Sequence, residues 1–166
     1  MLPKPTIPTV FPLSSQMFPV LLKFIDTREK LSVQVHPSDD YALEHEKQYG
    51  KTEMWYILNA EKGAGIYYGL KSDITKEEFE RHIKENTLTD ALNFIEVKKG
   101  ESYFIPAGTI HAIGKGLLIA EIQQNSNATY RIFDYGRTDN VNWEQTFKEA
   151  SESCDANRQY DSGYEF

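Results

Sequence analysis

A chain of 166 residues with 40% hydrophobic and 13% aromatic content can bury a real core as one domain, and is too apolar to be disordered. Its formal net charge of −7 argues against a nucleic-acid or anionic-membrane surface, so an anionic ligand would need a local basic pocket. The single cysteine, Cys154, excludes an intrachain disulfide and a cysteine-based zinc site and fits a reducing cytoplasm, while no apolar run is long enough to span a membrane.

In chain order, residues 1–17 are rich in Pro, Ser and Thr without a clear period and read as an irregular arm. Residues 18–26 (FPVLLKFID) predict a buried strand, and Thr27-Arg-Glu-Lys30 a polar turn. The next stretch alternates: Leu31, Val33 and Val35 point one way, Ser32, Gln34 and His36 the other. The apolar side can pack on a core layer while the polar side presents three groups in a row, although a solvent-facing strand would show the same pattern. Pro37-Ser-Asp-Asp40 leads into a short helix over 41–49, and Glu53 opens a strand EMWYIL. A further strand is expected over 66–69.

Thr75-Lys-Glu-Glu78 fits a helix capping box, with Ile74 and Phe79 placed for a hydrophobic staple, and the helix should run to about Glu85. A second short helix is expected over 89–92. Strands resume at 94–97, 102–105, 110–113, 117–123 and 129–134, separated by Gly- or Asn-rich turns, and Asn142 caps a last helix over 143–149. Short, regularly spaced strands with one helical excursion predict an all-β sandwich or jelly roll. The expected division is an arm at 1–17, one β domain at 18–140, and a C-terminal helix with a polar tail at 141–166.

One motif organises the second half: Gly100, Pro106, Gly108 and His111 in the pattern G-x5-P-x-G-x2-H. Pro106 fixes φ and Gly108 permits a positive φ, so the turn is stiff and holds His111 in place. Taken alone, that pattern reads first as a β-hairpin with a half-buried histidine. Gln34 and His36, two apart on a strand, leave the same face, and Glu53 opens the next strong strand. Two imidazoles, one carboxylate and one amide oxygen suit a divalent metal, and the single formal negative charge leaves the ion a Lewis acid. His45 and His82 fall in helical or exposed segments and read as surface residues.

The segments KFIDTREKLSVQVHPSDDYA, GKTEMWYIL, FIPAGTIHAIGKG and AEIQQNSNATYRIFDYGR, in that order, resemble the type I phosphomannose isomerases of the cupin superfamily. The resemblance covers roughly residues 19–137 and implies a cupin-type jelly-roll barrel. Gln34-Val-His36 matches that family's Gln-x-His where other cupins carry His-x-His. Gln34, His36, Glu53 and His111 would bind Zn2+; Arg131, Lys51 and Lys23 match active-site residues; Ser32 and Glu121 match positions facing the substrate. The activity implied is interconversion of mannose 6-phosphate and fructose 6-phosphate in the cytoplasm. Family members are longer, open with a Trp-Gly-Gly segment and close with a second, metal-free cupin domain; neither is found here, so the sequence reads as a shortened form. Asn127 stands where some relatives have aspartate.

Two rivals stand beside that expectation. One is a non-catalytic or partner-dependent metal- or sugar-binding module. The other is a non-haem iron oxygenase built on His36, Glu53 and His111 as two histidines and a carboxylate, against which Gln34 and the motif match both count. Without the family's opening strands, the sheet edge at 18–26 should be exposed and could recruit a second copy, giving a homo-oligomer.

Overall fold

The computed structural model describes residues 18–137; the arm at 1–17, the helix expected over 143–149, the polar tail and Cys154 lie outside them. The elements are β1 (Val20–Thr27), β2 (Val33–Val35), α1 (Asp39–His45), β3 (Glu53–Ala60), β4 (Gly65–Leu70), α2 (Lys76–Lys84), a 3-10 turn (Leu88–Ala91), β5 (Leu92–Glu96), β6 (Ser102–Ile105), β7 (His111–Ile113), β8 (Leu117–Gln124) and β9 (Tyr130–Phe133). The strands form two antiparallel sheets, ordered β1-β8-β3-β6 and β5-β4-β7-β2-β9. This is the cupin-type all-β architecture expected from the sequence.

Alternation along β3 and β8 explains how the sheets pack. Trp55 and Ile57 of β3 and Leu117 and Ile119 of β8 point inward and meet Ile66 of β4 and Ile113 of β7 across the gap. The five-stranded sheet is covered on its outer face as well. There Val33, Val35, Ala112, Tyr130 and Ile132 pack against Phe79 of α2 and Leu88 and Leu92 beside it. The capping box holds that helix start: the Thr75 amide donates to Glu78 Oε2 at 2.9 Å, and the Glu78 amide to Thr75 Oγ1 at 3.2 Å. The four-stranded sheet has no such cover among the described residues. Leu22, Phe24, Tyr56 and Phe104 lie exposed on its outer face, Phe24 at 69%.

Three segments differ from the sequence expectation. β1 is an edge strand and not a buried one: its residues alternate between exposed and half-buried up to Asp26, because no described element covers the outer face of its sheet. The ladder of β2 begins only at Val33, so Leu31 does not join Val33 and Val35 in the core. Leu31 donates its amide to Ile113 O at 2.9 Å and stays 38% exposed. Helix α1 starts and stops earlier than expected. The Ser38 hydroxyl accepts from the Tyr41 amide, Asp39 and Asp40 lie in the first turn, and Lys47 at φ 56° ends the helix.

Two turns then set the positions that matter. The Gly108 amide donates to His36 O at 2.8 Å, which ties the Pro106-Ala107-Gly108 turn to the end of β2; Gly108 has φ 85°, a conformation that favours glycine. Gly50 lies so close to Ser38 that a Cβ there would stand 2.4 Å from a backbone carbon. That close approach lets the Lys51 amide donate to Pro37 O at 3.0 Å and delivers Lys51 and Glu53 beside His36.

Candidate metal centre and pocket

The four residues expected to converge come from three strands and the residue following one of them. Gln34 of β2 is registered opposite His111, the first residue of β7, and also opposite Arg131 of β9. His36 follows β2 directly, and Glu53 opens β3. His36, Glu53 and His111 are all buried, and one ligand atom from each lies within 4.8 Å of the others. His36 Nε2 is 3.1 Å from Glu53 Oε1, and His111 Nε2 is 3.9 Å from Glu53 Oε2. The side-chain nitrogen of Gln34 lies 3.3 Å from His111 Nε2; a half-turn about its last side-chain bond would bring the amide oxygen there instead.

Backbone carbonyls orient both imidazoles. His111 Nδ1 lies 2.8 Å from Thr109 O, and His36 Nδ1 lies 3.1 Å from Ala128 O. With Nδ1–H donating to a carbonyl, each ring turns the lone pair of Nε2 towards Glu53. Burial, joined by the nearby His36, lowers the His111 pKa to about 4, so the ring is neutral at pH 7, as a metal ligand must be. Burial pushes Glu53 upward, but His36, His111 and Lys51, each in its protonated form, outweigh it and hold the carboxyl well below the usual range. Glu53 is therefore a buried anion.

The residues fit a cation on a direct observation. His36 Nε2 and Glu53 Oε1 are buried and close, yet neither has a hydrogen bond of acceptable direction. Buried acceptor atoms that lie close together without bonding each other suit a metal ligand set.

Beside this group opens a pocket of about 500 Å3, lined among others by Lys23, Gln34, Lys51, Glu121, Asn127 and Arg131. Gln34 and Lys51 belong to both features. Lys51 Nζ lies 3.0 Å from Glu53 Oε1, and Lys23 Nζ lies 3.1 Å from Glu121 Oε1 and 2.5 Å from Gln123 Oε1. Arg131 is exposed and joins no ion pair among the described residues, so its guanidinium is available to an anion. Ser32, expected near the substrate, is half-buried just before β2 and is not among the residues lining the pocket. His45 is exposed, and His82 is half-buried with Nδ1 2.9 Å from Thr87 Oγ1; neither joins the site.

Sequence reasoning passed over Trp55 and Gln123. Each follows a singled-out residue by two on a strand, Glu53 and Glu121 respectively, so strand parity alone could have placed both on the site's face.

No protein-family model matches the chain. Over 125 residues it is 48% identical to the mannose-6-phosphate isomerase of Streptococcus mutans, a match covering 75% of this chain and 39% of that one. A mannose-6-phosphate isomerase of Bacillus subtilis is likewise 48% identical over 128 residues, covering 76% of this chain and 40% of the relative. The chain is a relative of the mannose-6-phosphate isomerases. It spans about two fifths of the length of these curated relatives. Among solved structures, the Bacillus subtilis mannose 6-phosphate isomerase superposes with a TM-score of 0.75 at 38% identity, covering 89% of this chain and 47% of that one. A mannose 6-phosphate isomerase bound with zinc and yttrium gives a TM-score of 0.58 at 14% identity, covering 83% and 54%; at that identity the likeness concerns the fold alone.

Proposed function

We propose that this chain holds the metal centre and sugar-phosphate pocket of a zinc-dependent isomerase that interconverts mannose 6-phosphate and fructose 6-phosphate. The observation that carries the proposal is the placement of two carbonyl-oriented imidazoles and a buried carboxylate beside a pocket lined by Lys23, Lys51 and Arg131. Gln34, His36, Glu53 and His111 would hold the ion, and a bound zinc would supply Lewis-acid stabilisation of negative charge on the sugar oxygens without redox chemistry.

The remaining work falls to the chain's own side chains. Isomerisation moves a proton between neighbouring carbons, and the charge that develops sits on oxygen. Arg131, in no ion pair among the described residues, would meet an anionic oxygen with its forked donors. Lys23 would draw phosphate to a chain that is otherwise −7. Lys51, at 6% exposure and 3.0 Å from Glu53, is held next to the ligand set and would orient a sugar oxygen there. Among the described residues no helix is long and apolar enough to cross a membrane; sugar-phosphate chemistry and the single cysteine support a cytoplasmic setting.

A second reading, a metal- or sugar-binding module that needs a partner for turnover, is favoured by one fact: the chain spans about two fifths of its relatives. Metal analysis and an isomerase assay on one purified sample separate the two. Zinc at one equivalent with turnover supports the isomerase; zinc without turnover supports the module; iron or no metal, without turnover, refutes the zinc-dependent isomerase. Self-association belongs to the same proposal, because β1 is an edge strand and its outer face exposes Leu22 and Phe24.

A further inference from the structure

Trp55 is fully buried, and its single indole N–H faces two carboxylates at once. Nε1 lies 3.0 Å from Glu53 Oε2 and 3.2 Å from Glu121 Oε2. The arrangement follows from the sheet. Trp55 is registered opposite Glu121 on β8, and Glu53 precedes it by two on β3, so all three side chains leave one face. The edge of the indole also meets the His111 ring, with centroids 5.4 Å apart at 73°. A tryptophan that merely fills a core satisfies its N–H with any nearby acceptor. This one sits between two buried anions that would otherwise repel each other.

Each carboxylate has a lysine ammonium beside its second oxygen. Glu53 Oε1 lies 3.0 Å from Lys51 Nζ and 3.1 Å from His36 Nε2, while Glu121 Oε1 lies 3.1 Å from Lys23 Nζ. Lys23 in turn reaches Gln123, whose amide nitrogen donates to Gln124 O at 3.0 Å and Ser126 O at 3.1 Å. The metal group and the pocket are thus joined through one neutral donor. We infer that Trp55 is a positioning residue: its N–H fixes Glu53 for the metal and Glu121 for the pocket, and so ties the geometry of one to the other. This rests on the proposal that Glu53 is a metal ligand.

Removing the N–H while keeping an aromatic ring frees both carboxylates to swing. Outer partners of metal ligands typically account for about 10- to 100-fold in affinity. The test measures zinc dissociation constants by competition with a chromophoric chelator, on the full chain, for wild type, Trp55→Phe and Ile57→Val. Ile57 belongs to the same core cluster and its side chain has no polar group to hold either carboxylate, so it controls for a core cavity. Weakening of about 10-fold or more in Trp55→Phe, absent from Ile57→Val, is expected. At saturating zinc, kcat should fall in Trp55→Phe by a larger factor than KM changes. If Trp55→Phe does not fold, the benzothiophene isostere of tryptophan at position 55 keeps the shape and lacks the N–H, and the same weakening is expected. A wild-type dissociation constant in the Trp55→Phe or isostere protein overturns the inference. Wild type that binds no zinc overturns the ligand assignment beneath it, and the inference with it.

Discussion

Glu53→Gln separates the structural work of the carboxylate from its metal work. Glu53 is 1% exposed and Lys51 6%, with 3.0 Å between charged atoms. At that distance two unit charges attract by about 5–6 kcal/mol at an effective dielectric of 20. Glutamine removes the anion and leaves the Lys51 ammonium buried without a counter-charge, the situation in which broken buried pairs cost about 3–5 kcal/mol. For the roughly 120 described residues, at ~2 cal/mol/K per residue, that is a fall in Tm of about 12–20 °C. The assay is urea unfolding at pH 7.5 with a chelator present, so that the metal contributes nothing. Lys51→Met added to Glu53→Gln removes the stranded charge and should recover more than half of the lost stability. It should not recover metal binding, because the anionic ligand is still missing. Zinc at a hundred times its dissociation constant should then stabilise wild type by about 2.7 kcal/mol and neither variant by a comparable amount. A loss below about 1 kcal/mol for Glu53→Gln in chelator would refute the reasoning, since Lys51 would then not depend on Glu53.

Three further outcomes are expected. Arg131→Ala should leave stability within about 0.5 kcal/mol, because the side chain is exposed and joins no ion pair among the described residues, yet lower kcat/KM by about 100-fold or more; an unchanged rate would make Arg131 incidental to turnover. Chelator-treated protein should lose stability in acid: His111 binds its proton at about 4 when folded and about 6.5 when unfolded, so the unfolded state takes up protons first as pH falls between those values. That group is worth about 3 kcal/mol across the window, and equal urea midpoints at pH 4.5 and 7 would contradict its direction; Glu53 adds a further loss as pH falls below the usual carboxylate range, which equal midpoints at pH 4.5 and 3 would contradict. Phe24→Glu should shift sedimentation towards monomer if the apolar face of the four-stranded sheet joins copies, and a wild type already monomeric at micromolar concentration would end that proposal.

Strand parity and turn chemistry are local properties, so the sequence alone could supply much of this protein. Two-residue spacing put Gln34 and His36 on one face, Pro106 and Gly108 announced the stiff turn before His111, and Thr75 with Glu78 announced α2. Four motifs in order were enough to indicate the family. What parity cannot tell is which strand lies across from which. Only the pairing of β3 with β8 sets Trp55 opposite Glu121, and only the pairing of β2 with β7 and β9 brings Gln34 between His111 and Arg131. Nor can it tell where a ladder begins. Leu31 has the right parity for the core, but its amide is taken by Ile113 O and its side chain lines the pocket. The direction of each imidazole was likewise decided by distant carbonyls, Ala128 O for His36 and Thr109 O for His111, because a ring turns to whatever acceptor the folded backbone offers it.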